Sequence, residues 1–434
     1  MKIPPVKGTR DFYPPQMAVR NWIIDGWKKA SVRSGFEEYD GPIFEYLDMY
    51  RIKSGDEIVE QLFSFKDRGD RDLAIRPEIT PTLARMVNQQ INSLPKPIKW
   101  FSVPRLCRAE RPQKGRLREF FQWNIDIIGE DSVLADAEVI FTTIDYLRGV
   151  GLTEKDIQVK VSSRKLLAAV LKQIGITEDR LNPMYALLDK KAKLPPETFD
   201  KILAEQVPDA KMAGKIQEFM RIQKHSDIRK LFKDTDELKT ADDEMTLLFD
   251  LLNRMGIGEY VALDLGIVRG LAYYTGIVFE VHDIAGGLRA ICGGGRYDNL
   301  LKDFGGPDIS ATGMGMGDCV LEILLSEKGL LKPLQAGLDY FVAAVNTPAD
   351  VGQDDAVIKI VSRLRTSGYS ADFSHRSGGL GRQLKEASER RARKCIIIGE
   401  EYNSGNLVVK DMASGNQQTI AIDEFFKALQ AWQI

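Results

Sequence analysis

The sequence predicts a protein of the α+β class with a separate, smaller α/β domain at its C-terminal end. Strand and helix patterns stand in long, separate blocks before Lys332-Pro333 and alternate after it. The length of 434 residues favours two or three domains at about 150 residues each. A hydrophobic share of 44% and a charged share of 28% are typical of a globular chain that can fill a core.

Composition narrows the class of function. The formal net charge of −2 argues against a uniformly basic nucleic-acid binder but says nothing about local patches. The four cysteines form no C-x-x-C pair, and the three histidines are scattered, so we expect neither a zinc site nor another structural metal. There is no secretory leader and no apolar run of about 18 residues. The expectation is therefore a soluble, cytoplasmic enzyme with no membrane partner.

The first domain is predicted to span residues 1–329. Its first helix carries one apolar face and ends near Ser34-Gly35, and a second helix covers Ala135–Arg148. Strand patterns occur over Phe36–Tyr46, Tyr260–Leu265 and Ile277–Val281. The charged stretch 165–255 has helical spacing throughout, which indicates a helical insertion. The apolar face of the first helix comprises Val19, Trp22, Ile23, Gly26, Trp27 and Ala30.

The second domain is predicted over 335–434. Strands are expected at Tyr340–Val345, Tyr369–Phe373 and Cys395–Ile398, with helices between them, a hairpin near Asn403–Gly405 and a closing helix.

The densest chemical signal is a basic run from Arg105 to Arg118, which contains six Lys or Arg residues and one acidic residue, Glu110. A solvated loop is the common interpretation of such a run. However, it leads into Phe120–Ile128, where apolar residues alternate with Gln122, Asn124 and Asp126. A polar strand face beside arginines is typical of the floor of a site, and guanidinium groups suit polyphosphate because each can donate two parallel hydrogen bonds.

Two further segments are candidates. In Asp264–Glu280, Arg269 lies in otherwise apolar text and needs an anion, because an unpaired buried cation is costly; the tyrosine pair that follows could equally be core. In Cys292–Asp298, three glycines permit a close ligand approach or simply a tight turn. Gly313–Gly317 lacks the spacing of a dinucleotide fingerprint, and there is no phosphate-loop motif.

In order along the chain, these residues resemble the histidyl-tRNA synthetases, which are class II aminoacyl-tRNA synthetases. The matching motifs are Lys7–Pro14 (KGTRDFYP), Gly41–Glu45, Arg76–Thr80 (RPEIT), Arg108–Phe120, Arg269–Glu280, Gly294–Asp298 (GGRYD) and, near the end, Gly381–Ala387 and Val408–Asp411. The resemblance implies an antiparallel catalytic sheet with a helical insertion, an anticodon-binding domain and a homodimer. It also implies a ligase that activates L-histidine with ATP and Mg²⁺ and transfers the histidyl group to the 3′ end of histidine tRNA.

The resemblance assigns roles to individual residues. Arg269 and Arg108 would act at the α-phosphate, and ATP would be held by Arg108, Glu110, Arg116 and Phe120. Histidine would be bound by Glu78, Thr80, Gln122, Asp126, Tyr273, Tyr274 and Tyr297. Arg111 and Gln113 would approach the acceptor end of the tRNA.

Val320 departs from the pattern, because the last motif of the class usually has an arginine there that supports ATP. Another basic residue could take its place, or the nucleotide contact could be weaker. The departure favours an alternative, a non-catalytic regulatory subunit of ATP phosphoribosyltransferase. The retained Arg108, Arg116, Gln122 and Arg269 and the complete last domain oppose it. GGRYD and Arg269 also argue against a prolyl or threonyl synthetase.

Overall fold

The structure is a computed structural model that describes residues 3–54, 62–191, 194–269, 273–331, 337–345, 355–376 and 378–430. The chain divides into two compact units, Met1–Pro333 and Leu334–Ile434. The predicted junction at Lys332-Pro333 lies outside the described residues. Over the described ranges, no helix combines the length and apolar composition needed to cross a membrane.

Strands of the first unit form a large central sheet and a small one. They are β1 (Glu37–Glu38), β2 (Phe44–Tyr46), β3 (Ser64–Lys66), β4 (Asp72–Ile75), β5 (Ile98–Ser102), β6 (Arg105–Cys107), β7 (Glu119–Ile128), β8 (Ile157–Ser163), β9 (Val261–Leu263), β10 (Ile277–Asp283), β11 (Cys292–Arg296) and β12 (Ala311–Gly317). Among the described residues, the nine-stranded sheet runs β1-β5-β7-β12-β11-β10-β8-β9, with β6 also paired to β7. Along this order, every neighbouring pair in the stretch β5-β7-β12-β11-β10-β8 is antiparallel. The small sheet has the order β2-β4-β3.

Helices of the first unit lie before, within and after this sheet in the chain. They are α1 (Pro14–Arg33), α2 (Leu47–Ser54), α3 (Thr80–Gln90), α4 (Val133–Gly149), α5 (Arg164–Ile174), α6 (Leu181–Leu188), α7 (Pro196–Gln206), α8 (Ala210–Phe219), α9 (Ile228–Leu231), α10 (Asp236–Arg254), α11 (Leu300–Asp303) and α12 (Asp318–Glu327). Both helices predicted from apolar spacing, α1 and α4, are confirmed.

Aromatic packing joins α1 and α4 to the sheet. Trp27 of α1 stacks on Trp123 of β7 with ring centroids 6.3 Å apart, and Tyr146 of α4 meets Trp123 edge-on at 5.5 Å. The indole Nε1 of Trp123 donates to Ser31 Oγ at 2.8 Å, so this buried polar group is satisfied. Gly26 lets the helices approach, because a Cβ there would lie 2.9 Å from the Tyr146 ring. This packing fixes one face of β7 against the core.

The helices α5 to α10 occupy the region predicted as a helical insertion. Their buried side chains, such as Leu181, Phe199 and Ile216, belong to the same hydrophobic cluster as Trp123 and Val159 of the sheet. These helices therefore share the core of the sheet rather than enclosing one of their own.

The second unit is built on a five-stranded sheet among its described residues. Its elements are β13 (Tyr340–Ala344), α13 (Asp355–Thr366), β14 (Ala371–Phe373), α14 (Leu380–Glu389), β15 (Lys394–Ile398), β16 (Asn406–Asp411), β17 (Gln417–Ala421) and α15 (Ile422–Gln430). The order is β14-β13-β15-β16-β17. The segment Glu400–Ser404 is a short 3₁₀ helix at the predicted hairpin. Sequence patterns missed β17, because its residues are polar or exposed and lack a buried face.

Candidate active site

A polar row on β7 forms one wall of the candidate site. Gln122, Asn124 and Asp126 alternate with the buried Trp123 and Ile125, as their spacing predicts. The neighbouring strand β12 places a glycine directly opposite each polar residue: Gly317, Gly315 and Gly313, respectively. Cross-strand partners share a face of the sheet, so the polar row stands beside a strip without side chains.

The glycine strip is two strands wide. Gly313 and Gly315 pair with Gly295 and Gly293 of β11. A Cβ at Gly313 would lie 2.1 Å from Asp126 Oδ1. Any residue other than glycine would therefore clash with this carboxylate. From sequence alone, Gly313–Gly317 is only a run that lacks the spacing of a dinucleotide fingerprint. Glycine at every second position of a strand was the signal for an open sheet face.

A cavity of about 80 Å³ lies over this glycine strip. Nine residues assigned from sequence line it: Glu78, Thr80, Arg108, Gln122, Asp126, Arg269, Tyr273, Tyr274 and Tyr297. Asn124 and Met314, which were not assigned, also line it. Residues from four distant parts of the chain thus meet in one small, polar pocket.

Asp126 and Tyr297 form a buried, hydrogen-bonded pair in this pocket. The Tyr297 hydroxyl donates to Asp126 Oδ1 at 2.5 Å, and both residues are about 3% exposed. Burial, together with the adjacent Asp126 carboxylate, raises the pKa of Tyr297 well above its usual range. Tyr297 therefore remains a neutral donor. Tyr273 packs between Tyr274 and Tyr297, at centroid distances of 4.5 and 5.9 Å.

Arg269 extends over the glycine strip from a left-handed backbone position, with φ of 52°. Its Nη1 lies 3.4 Å from Glu280 Oε1, which supplies the anion that the sequence required, and its guanidinium lies 5.3 Å from the Tyr274 ring centroid. The buried Arg164, at the start of α5, donates to the carbonyls of Val268 at 2.9 Å and Arg269 at 2.5 Å. The backbone of Arg269 is thus held from outside the sheet.

A second cavity, of about 250 Å³, adjoins the first and shares Arg108, Gln122 and Arg269 with it. Arg116 and Phe120 line it, as do Glu280, Arg289 and Val320, which were not assigned a ligand from sequence. The Arg108 guanidinium lies 5.0 Å from the centroid of Phe120. Together the cavities form one cleft with a small polar end and a larger end bordered by arginines.

The connection between β6 and β7 carries the other assigned residues. Glu110 forms an ion pair with Arg116 and is not among the residues that line either cavity. Arg111 and Gln113 are exposed and also lie away from both cavities. The connection is held at two points: the Arg118 N–H donates to the Gly8 carbonyl at 2.8 Å near its end, and Lys114 pairs with Glu327 at 3.1 Å near its middle.

Arg296 of the GGRYD motif has a structural role. It is 4% exposed and donates twice to Asp136 of α4, at 2.6 and 2.9 Å, so it anchors the end of β11 below the site. Within the described part of the chain, no three histidine, cysteine, aspartate or glutamate side chains are grouped so as to hold a metal ion.

Comparison with known proteins gives two family matches. A family model described as histidyl-tRNA synthetase matches residues 8–317, and one described as anticodon binding domain matches residues 339–432.

Similar proteins span nearly the whole chain. The chloroplastic/mitochondrial histidine--tRNA ligase of Arabidopsis thaliana is 38% identical over 97% of this chain and 85% of its own length. The histidine--tRNA ligase of Opitutus terrae is 38% identical over 95% and 94%. The solved histidyl-tRNA synthetase of Nostoc sp. PCC 7120 has a TM-score of 0.81 at 22% identity and covers 100% of both chains. A Bacillus halodurans structure titled ATP phosphoribosyltransferase regulatory subunit/histidyl-tRNA synthetase has a TM-score of 0.76 at 23% identity, over 92% of this chain and 99% of that one; at this identity, both likenesses concern the fold.

Proposed function

The chain belongs to the histidyl-tRNA synthetase family, and from this premise we propose how its cleft carries out the family's reaction. The chain is a class II ligase that joins histidine to histidine tRNA in two steps. First, a histidine carboxylate oxygen bonds to the α-phosphorus of ATP, the bond to the β-phosphate oxygen breaks, and pyrophosphate leaves. Then a terminal ribose hydroxyl of the tRNA takes the histidyl group and releases AMP.

The first step requires positioning and charge neutralisation rather than a base, because the attacking carboxylate is already an anion. In the proposal, Arg269 neutralises charge at the α-phosphate and the carboxylate, and Arg108 holds the α-phosphate from the other side. The observation that carries this is the position of both arginines at the junction of the two cavities, where both line each of them.

The small cavity is the histidine end in this proposal. Asp126 accepts a hydrogen bond from one imidazole nitrogen, while Tyr274, supported by Tyr273 and Tyr297, satisfies the other. Glu78, Thr80 and Gln122 at the rim hold the α-amino group. The bond from Tyr297 to Asp126 supports the imidazole assignment, because it fixes the orientation of a buried carboxylate. An amino acid without two ring nitrogens would leave these groups unpaired and be rejected.

The larger cavity is the nucleotide end. Phe120 stacks on adenine, Glu110 reads the adenine edge, and Arg116 binds the distal phosphates. The Glu110–Arg116 ion pair must then open when ATP enters, since each partner has a separate contact with the nucleotide. Mg²⁺ enters with ATP as part of the substrate.

Contacts with tRNA are proposed at two places. Arg111 and Gln113 approach the acceptor end from the exposed connection between β6 and β7. The second unit binds the anticodon, in line with the family model that matches 339–432. Basic residues around α14 support this: Arg382, Lys385, Arg390, Arg391, Arg393 and Lys394.

A homodimer is proposed because the small sheet of the first unit presents an apolar surface. Phe44 and Tyr46 of β2 and Phe65 of β3 are 49%, 56% and 43% exposed, and the rings of Phe44 and Phe65 meet edge-on at 6.2 Å. An exposed apolar cluster of this kind is typical of a contact surface, here for a second copy.

The cytoplasm is the proposed compartment, since all four cysteines are free thiols, as a reducing environment favours.

ATP–pyrophosphate exchange tests the activation step. Each of the twenty amino acids is supplied in turn; exchange with histidine alone is expected, and no exchange with any would refute catalysis. Arg269→Ala should lower exchange by about 1,000-fold, with circular dichroism and melting temperature unchanged. Near wild-type exchange in that variant would refute the role of Arg269.

A further inference from the structure

Arg289 is a cation in the larger cavity that no assigned role uses. It lies in the connection between β10 and β11 and lines the cavity together with Arg108, Arg116 and Phe120. The other three arginines of the cavity have partners: Arg116 pairs with Glu110, Arg269 with Glu280, and Arg108 donates to the Pro77 carbonyl at 3.1 Å. The Arg289 guanidinium forms no hydrogen bond or ion pair with any described residue.

The surroundings of Arg289 favour an anion. The side chain of Arg289 is exposed. Partial desolvation and the like charges of Arg116 and Arg108 lower its pKa, while the charges of Glu110 and Glu280 raise it. The guanidinium nevertheless stays protonated, because arginine does not lose its proton in proteins. A bound polyanion would relieve the repulsion among these arginines and gain charge-assisted hydrogen bonds.

Val320 leaves this side of the larger cavity without the positive charge that an arginine of the last class II motif usually supplies. It lines the same cavity but is only 8% exposed, and a Cβ built on Gly115 would lie 3.0 Å from Val320 Cγ2. The connection between β6 and β7 therefore packs directly on this side chain. A long cationic side chain at position 320 would have to displace that connection.

We propose that Arg289 binds the β- and γ-phosphates of ATP together with Arg116 and supplies the positive charge that position 320 lacks. This rests on the proposed function, since it names a further contact for the same ATP. When the bond between the α-phosphorus and the β-phosphate oxygen breaks, negative charge develops on the leaving pyrophosphate. Arg116 and Arg289 stabilise this charge. Arg289 then contributes both to ATP binding and to departure of pyrophosphate.

Arg289→Ala and Arg289→Lys test the proposal by histidine-dependent ATP–pyrophosphate exchange. Loss of a charge-assisted contact should raise KM for ATP about 10- to 100-fold, whereas KM for histidine stays within about twofold because the histidine end is untouched. Arg289→Lys should lie between Arg289→Ala and wild type, since it keeps the charge but loses the two-pronged geometry. Arg254→Ala, which removes an exposed arginine of α10, serves as the matched control and should leave both constants unchanged.

Equilibrium dialysis with ATP and with AMP supplies a readout that does not depend on turnover. Arg289→Ala should lose affinity for ATP but not for AMP, which has no distal phosphates. An unchanged KM for ATP, or an equal loss for both nucleotides, would overturn the proposal. Absence of histidine-dependent exchange in the wild-type protein would instead overturn the proposed function, while the dialysis would still decide whether Arg289 contacts distal phosphates.

Discussion

The guanidinium of Arg269 lies against the backbone of Gly293, so close that a Cβ at position 293 would fall 1.5 Å from Arg269 Nη1. Glu280, the ion-pair partner of Arg269, is the residue paired with Gly293 across β10 and β11. Gly293→Ala should therefore displace the guanidinium and lower kcat/KM for pyrophosphate exchange by about 100-fold or more.

The matched control for Gly293→Ala is Gly214→Ala in α8. No atom lies within 4 Å of a Cβ at that exposed helical position, so activity should be unchanged and stability slightly higher. Full activity of Gly293→Ala would contradict the position of Arg269 in the working site.

The hydrogen bond from Tyr297 to Asp126 predicts a loss of affinity confined to histidine. Asp126→Asn removes the charge that faces the imidazole and should raise KM for histidine about 100-fold; Tyr297→Phe removes only the orienting donor and should raise it about 10-fold. KM for ATP should not change in either. The double variant should lose less than the product of the two, because the residues contact each other. Equal effects on both substrates would argue against the imidazole site.

The apolar surface on β2 and β3 predicts a dimer that charge can disrupt. Phe44→Asp combined with Phe65→Asp should yield monomers by light scattering, because two carboxylates cannot be buried unpaired against a second copy. Leu247→Asp on α10 adds a charge at another exposed apolar residue, 45% exposed, and should leave the assembly intact. A wild-type protein that is already monomeric would refute the proposal.

Asp156 predicts a defined dependence of stability on pH. Its carboxylate accepts from Lys328 Nζ at 2.7 Å and from the Thr153 N–H at 2.9 Å, and these bonds lower its pKa to about 2, from the usual 3.8. A depressed pKa stabilises the folded state above pH 3.8, and this contribution is lost as the pH falls towards 2.

The variant Asp156→Asn should therefore destabilise the protein at pH 7 by about 1 kcal/mol, a value reduced by solvent screening. Its difference from wild type should shrink between pH 4 and pH 2, as followed by urea unfolding. A difference that is constant across this range would show that the carboxylate charge is not responsible.

The repeat of apolar residues along the sequence was sufficient to predict which side chains of a strand or helix are buried. The alternation in Phe120–Ile128 predicted which side chains of β7 face the core and which face the site, because a strand has a period of two. The apolar spacing in α1 and α4 predicted their buried faces in the same way. Resemblance of motifs then supplied nine residues that line the small cavity.

Other features of the site depend on contacts between distant parts of the chain, which the sequence does not reveal. Nothing near Gly313 indicates that it pairs with Asp126, since the register of β7 with β12 brings together positions almost 190 residues apart. Arg289 belongs to no recognisable motif in the sequence. Only the fold shows that it lines the same cavity as Arg116 and Phe120. Arg296 belongs to a site motif, but its contact with Asp136 makes it an anchor, which only the packing of α4 reveals.

Arg164 links the helical segment to the backbone of Arg269. Arg164 begins the helical segment and lines neither cavity, yet it holds the carbonyl of Arg269, and its guanidinium lies 4.3 Å from the Tyr185 ring centroid in α6. The position of the Arg269 backbone thus depends on a side chain of the helical segment that lines neither cavity. Any displacement of the start of α5 would therefore reach the Arg269 backbone through the single side chain of Arg164.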